Sequence, residues 1–285
     1  LPSGKRAYTY SFSGPFCKRC GVFSVVFGYE GFMATLAQKS NENGTASAEE
    51  VAHFGRLADE WWDPEGNFKS LHQINPLRMT YIRDQLCAHF KRDPMDVHSL
   101  GGLKVVDIGC GGGLICEPMA RLGAEVTGID ATSESISVAA HHADQMGLPI
   151  KYENRLPEDL AASGDTYDVL INMEVIEHVA DIDAFMSASA ALLKPGGIMV
   201  GATLNRTVKS LALAKVAAEY ILRWVPAGTH DWRKFVKPSE FSRFLRAYGL
   251  EVTDLTGMQL SPLRGGWTLS KNLDVNYFIT AKKAL

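Results

Sequence analysis

The sequence predicts an α/β protein, a mostly parallel sheet with helices on both faces, and three observations predict it. From Leu103 onward, short apolar runs alternate with amphipathic stretches, strand then helix. The first run, Val105-Val106-Asp107-Ile108, passes at once into Gly109-Cys110-Gly111-Gly112-Gly113. The second ends in an acid, at Gly128-Ile129-Asp130. This is the layout of a nucleotide-type site at the first strand-to-helix turn of an open sheet. Gly109, Gly111 and Gly113 lack the Cβ atoms that would hold a ligand off the backbone, and Asp130 can accept hydrogen bonds from ribose hydroxyls.

The elements follow in order. Ser40 to Ser47 is polar and Gly-containing and reads as a linker. Ser47 opens a capping box with Glu50, and Val51, Phe54, Leu57, Ala58 and Trp61 continue at helical spacing until Pro64 and Gly66. Asn75-Pro76 reads as an N-cap followed by Pro at the first helical position, with Leu77, Ile82, Leu86 and Phe90 facing inward. These two helices, within residues 47–100, precede the sheet and are expected to cover its ligand edge. Leu103 to Ile108 is strand one and Leu114 to Leu122 its helix, with Pro118 distorting the early turns. Glu125 to Asp130, Ile150 to Glu153 and Tyr167 to Met173 are strands two to four. Helices are predicted from Ser133 to Met146 and from Asp181 to Leu193. Lys194-Pro195-Gly196-Gly197 is a turn before strand five, Ile198 to Leu204. A largely apolar helix, Val208 to Val225, and another from Pro238 to Tyr248 come next. Leu250 to Leu255 and Val275 to Ala281 close the sheet.

Composition narrows the function classes. The 285 residues are 46% hydrophobic and 21% charged, with a net charge of −3 that gives no reason to expect a nucleic-acid partner. Five irregularly spaced cysteines do not form a disulfide framework, and Cys17-Lys18-Arg19-Cys20 lacks the second pair a metal site needs. Residues 1–46 form a separate segment. Lys5, Arg6, Lys18, Arg19 and Lys39 are scattered among Ser, Thr, Tyr and Phe, and Glu30 is the sole acid before Glu42. That bias fits an organelle transit segment or a disordered tail, and Val22 to Phe27 is too short to span a bilayer.

The spacing of the turn bears on its ligand. A nicotinamide-binding turn reads G-x-G-x-x-G, whereas this one is G-x-G-x-G with Asp107 two residues ahead. A carboxylate there meets a pyrophosphate badly but suits the ammonium or sulfonium of S-adenosylmethionine, directly or through a water. The turn, Asp130 and the Lys194 to Gly197 turn resemble class I S-adenosylmethionine-dependent methyltransferases. From about residue 50 onward, Trp61-Trp62-Asp63, Asn75-Pro76-Leu77-Arg78, Met173-Glu174-Val175-Ile176-Glu177-His178-Val179, Gly228-Thr229-His230-Asp231 and Asp274-Val275-Asn276-Tyr277 resemble the O-methyltransferases of ubiquinone biosynthesis. Ser261-Pro262-Leu263 departs from the Asn-Pro-Leu expected there. The resemblance implies the class I methyltransferase (Rossmann-like) fold, seven strands with the last antiparallel. It also implies that Arg78, Gly109, Asp130 and Met173 bind the donor. Asp107 and Gly111 join that set from the turn itself, and Arg78 can pair with the methionine carboxylate.

Glu174, Glu177 and His178 follow strand four, where open sheets place reactive groups. A helical segment would gather them on one face. Two carboxylates and an imidazole suit a divalent ion, and the resemblance implies Mg²⁺-assisted catalysis; otherwise the acids favour a helix N-terminus and His178 is a packed or general-base histidine. The segment from Val208 to Val225 has one narrow polar stripe, Lys215, Glu219 and Arg223, and reads either as a core helix or as an interfacial one within a membrane-contacting insert at 206–235. The resemblance implies a polyprenylated phenolic substrate, an anionic membrane surface as peripheral partner, other ubiquinone-biosynthesis proteins nearby, and the matrix side of the mitochondrial inner membrane. Two other functions share these residues: a small-RNA 2′-O-methyltransferase and a non-catalytic donor-binding scaffold.

Overall fold

The computed structural model describes residues 45–47, 51–52, 60–212, 231–261 and 266–285. The segment 1–44, most of the helix predicted after Ser47, and the apolar helix beyond residue 212 lie outside the described residues.

Alternation in the sequence becomes a sheet because the central strands are apolar on both faces and the helices between them cover those faces. Helix α1 (Lys69–Phe90) leads into β1 (Lys104–Ile108), α2 (Cys116–Arg121), β2 (Glu125–Asp130), α3 (Ser133–Gln145) and β3 (Lys151–Asn154). There follow α4 (Pro157–Ala162), β4 (Tyr167–Met173), α5 (Ile182–Leu192), β5 (Leu193–Leu204), α6 (Pro238–Ala247), β6 (Leu250–Ser261), β7 (Gly266–Ser270) and β8 (Asn276–Lys283). The spatial order is β3-β2-β1-β4-β5-β8-β6-β7. The pairs from β3 to β5 are parallel, and β8 inserts antiparallel between β5 and β6.

Side chains from successive strand residues go to opposite faces. Val105, Val169, Ile171 and Phe278 pack beneath α1 and α2 with Ile82, Leu86 and Met119. Val106, Leu170, Tyr277 and Ile279 pack on the other face with Phe185 of α5 and Phe241 and Leu245 of α6. Two tyrosines of this core are hydrogen-bonded: the Tyr277 hydroxyl donates to the Val236 carbonyl at 3.0 Å, and Tyr81 donates to Asp254 at 2.7 Å. Asp181 caps α5 by accepting from Ala184 N at 3.0 Å.

Three expectations need correction. The sheet has eight strands, not seven, because Gly266–Ser270 returns antiparallel along β6. Five residues at a sheet edge carry too little period-two signal to be read alone. Helix α1 begins at Lys69, so Pro76 stands inside it and Asn75 is no N-cap. Asn75 Nδ2 instead donates to the Leu114 carbonyl at 2.8 Å, tying α1 to the turn after β1. Finally, Glu174 to His178 is an irregular turn and not a helix. Glu174 sits at φ +59°, with its N–H bonded to Ala202 O at 2.8 Å.

Candidate active site

The carboxyl ends of β1, β2 and β4 open into a cavity of about 240 Å³, as the crossover rule for open sheets requires. The β1 turn forms its floor. Gly109 N and Cys110 N both bond Ile129 O, at 2.8 and 3.0 Å, which locks the turn onto β2. Gly109 and Gly111 have φ of +70° and +53°, in the left-handed region. A Cβ on Gly109 would lie 2.4 Å from Val175 Cγ2, and one on Gly111 would lie 2.4 Å from the Trp61 ring. The glycines are therefore required by the protein's own packing in the first place, and the approach of a ligand is secondary.

A buried acid, Asp107, and a partly buried one, Asp130, flank the turn. Asp130 Oδ2 accepts from Gly111 N at 2.9 Å and Oδ1 accepts from Thr132 N at 2.8 Å, which fixes the carboxylate at the end of β2. Burial raises its pKa, and the Thr132 and Gly111 bonds offset part of that rise. Asp107 is buried in β1 and is pushed up to about 7, chiefly by burial, with Asp130 adding and the Cys116 hydrogen bond and Arg78 opposing. The Cys116 thiol donates to Asp107 Oδ2 at 3.3 Å.

Arg78, from α1, enters the same cavity and pairs with Glu174 at 2.5 Å. Met173, at the end of β4, and His178 line it too. Trp61 leans over the glycine turn, held by stacking on Phe68 at 3.9 Å and by donation to Ser135 Oγ at 3.2 Å. Trp62 donates to Gly112 O at 2.9 Å and stacks on His142 at 3.6 Å. The turn is thus covered by two indoles before any ligand arrives.

A family model described as a methyltransferase domain matches residues 79–255. A ubiquinone biosynthesis O-methyltransferase of Bartonella bacilliformis is 52% identical over 239 residues, covering 84% of this chain and 96% of the relative. The chain belongs to that family. Its namesake in Sinorhizobium medicae is 51% identical over 241 residues, covering 85% of this chain and 97% of its own. A magnesium protoporphyrin IX methyltransferase of Synechocystis PCC 6803, solved with bound SAH, shares the fold at a TM-score of 0.57 and 19% identity, covering 88% of this chain and all of that one. The methyl donor of this O-methyltransferase is S-adenosylmethionine, as the spacing of the turn predicted.

Of the residues the sequence nominated in this O-methyltransferase, Arg78, Asp107, Gly109, Gly111, Asp130, Met173, Glu174 and His178 all line the one cavity. Glu177 does not. It is buried behind the wall, where Oε2 accepts from Thr203 at 2.8 Å and Oε1 has no hydrogen-bond partner. Burial raises its pKa, and the nearby His178 lowers it. Because the segment is a turn, the i, i+3, i+4 spacing does not gather the three side chains. Among the described residues no three His, Cys, Asp or Glu side chains stand together to hold a metal ion.

Trp61, Ser135 and Arg155 line the cavity and were not nominated. The Trp61-Trp62 pair was the available signal: two adjacent aromatics at a helix end can cover a cleft, though in sequence they look like core.

Proposed function

We propose that this chain methylates ring hydroxyls of a polyprenylated dihydroxybenzoate and of a demethylubiquinol. The observation that carries the reading is that His178 shares one cavity with the donor turn. A phenol ionises near pH ~10, so a neutral-pH reaction needs a base at the hydroxyl. His178 takes that proton, and the carboxylate of Glu177 behind it stabilises the imidazolium. The phenolate oxygen bonds the sulfonium methyl carbon while the S–CH₃ bond breaks, its electron pair staying on sulfur. Trp61, which lines the cavity, excludes water and helps hold donor and acceptor at near-attack distance.

Magnesium is the finer part of the proposal. The donor types of Glu174, Glu177 and His178 suit the ion, but Glu174 would first have to leave Arg78 and Glu177 would have to leave Thr203 and turn into the cavity. The test uses S-adenosylmethionine labelled in the methyl group, offered a polyprenyl catechol acid, a demethylubiquinol analogue or a small RNA. Transfer to both phenols and none to RNA is expected, falling about 100-fold in His178→Ala with donor binding kept. Turnover lost to a chelator and restored by Mg²⁺ would make His178 a ligand of the ion in place of the base; turnover that survives chelation would remove the ion. Transfer to RNA alone, or to nothing, would instead support the RNA enzyme or the scaffold.

The tail of such a substrate resides in a bilayer, and we place the protein on the matrix side of the mitochondrial inner membrane, beside other ubiquinone-biosynthesis proteins. The basic, acid-poor segment 1–46 and the apolar run from Val208 support this. Among the described residues no helix is long and apolar enough to cross a membrane. Lys209, next to the start of that run, is paired with Asp274 at 3.1 Å. The protein should sediment with anionic liposomes, and charge reversal at Lys209 and Lys215 should reduce this; equal sedimentation with neutral vesicles would oppose the electrostatic part.

A further inference from the structure

We propose that Glu174 is a stand-in for the donor's own carboxylate. It occupies Arg78 until the methionine end of S-adenosylmethionine displaces it, and is then released to the wall that carries His178. The proposal rests on the reading of Arg78 as the partner of that carboxylate.

Three observations support it. Arg78 is only 4% exposed, so its guanidinium has lost most of its water and needs an anion at all times. Glu174 supplies one through Oε1 at 2.5 Å, yet Arg78 Nε is buried with no hydrogen-bond partner. A carboxylate arriving on a ligand can bridge two N–H groups of the fork and so engage the Nε that is left over here. Third, the Glu174 backbone is held at φ +59° by its N–H bond to Ala202 O. The exchange therefore proceeds by rotation of the Glu174 side chain on a fixed backbone, from Arg78 toward His178 in the lining of the same cavity.

Charge balance points the same way. Adding the donor's carboxylate while Glu174 stayed put would set two anions on one guanidinium inside a low-dielectric cavity. Release of Glu174 leaves Arg78 with a single partner. The acceptor wall then gains its carboxylate only after the donor is bound, so the donor binds first.

The test is calorimetric and needs no turnover. S-adenosylhomocysteine carries the amino-acid tail, and 5′-methylthioadenosine lacks it. Glu174→Gln should bind S-adenosylhomocysteine about tenfold more tightly than wild type, with methylthioadenosine affinity unchanged. Arg78→Met should weaken S-adenosylhomocysteine, and adding Glu174→Gln to it should bring no further gain. If Arg78→Met leaves S-adenosylhomocysteine binding intact, the reading of Arg78 falls and the stand-in with it. If Arg78→Met weakens binding but Glu174→Gln brings no gain, the stand-in alone falls. A gain that persists in the double variant would mean plain repulsion from Glu174, which also overturns it. Methylthioadenosine binding reports an intact pocket, and Glu174→Ala carries the same comparison should the glutamine variant fail to bind it.

Discussion

Replacing Asp130 by Ala should weaken S-adenosylhomocysteine binding about 100-fold, the loss of two hydrogen bonds to a charged acceptor. The carboxylate is held at the end of β2 by Gly111 N and Thr132 N, and each oxygen retains a lone pair for a ribose hydroxyl. Removing it also strands those two backbone donors. The variant should therefore lose about 2 kcal/mol of stability as well, measurable by denaturant unfolding. Asn at this position keeps one carbonyl acceptor and should fall between the two. Since burial raises the Asp130 pKa, donor affinity in the wild type should decline on acidification sooner than an ordinary carboxylate would allow. A dissociation constant for Asp130→Ala within threefold of wild type would remove Asp130 from the donor site.

Asp107→Asn should stabilise the ligand-free protein at alkaline pH. In the folded chain Asp107 titrates near about 7, against 3.8 for an exposed Asp. Between those values the folded state holds a proton that the unfolded state has lost, so stability falls as pH rises through that window. Above it the buried anion costs up to about 4 kcal/mol. Asn keeps the size without the charge. Wild type and variant should match near pH 4 and diverge by several kcal/mol near pH 8, in favour of Asn. Asp130 shares the direction of shift and should leave some slope in the variant. Denaturant midpoints at pH 5 and pH 8 decide the matter, and parallel curves for the two proteins would show that Asp107 is not the group responsible. An ammonium of the donor placed beside Asp107 would offset the same charge, and ligand would then raise the midpoint of the wild type more than that of the variant.

The parts of the fold legible in the sequence were those with a local cause. Strands β1, β2 and β4 were readable within one residue because an apolar run bounded by glycine or acid has few other forms. The Gly109 to Gly113 turn was readable too, although the reason was incomplete: Val175 and Trp61 exclude the Cβ atoms, and both come from distant segments. Pro76 misled. Its local chemistry favours a helix start, but Lys69 to Asn75 joins the same helix, with Ile74 buried in the core and Asn75 bonded to Leu114 O. Packing of that kind overrides the preference of a single residue.

Residues near one another in the chain settled the donor: Asp107, the three glycines and Asp130 are placed by two adjacent strands and the turn between them. That is why the sequence by itself determined an S-adenosylmethionine site, while the reversed last strand was implied by the family resemblance. The acceptor side was decided by the tertiary structure. Glu174, Glu177 and His178 are adjacent in sequence, yet a left-handed residue at Glu174 and its bond to Ala202 turn them to different surroundings. Glu174 goes to Arg78 on α1, Glu177 goes to Thr203 on β5, and His178 goes to the cavity. Sequence spacing describes a shared face only where the backbone is regular. Here three long-range partners, none visible in the motif, set where each side chain stands.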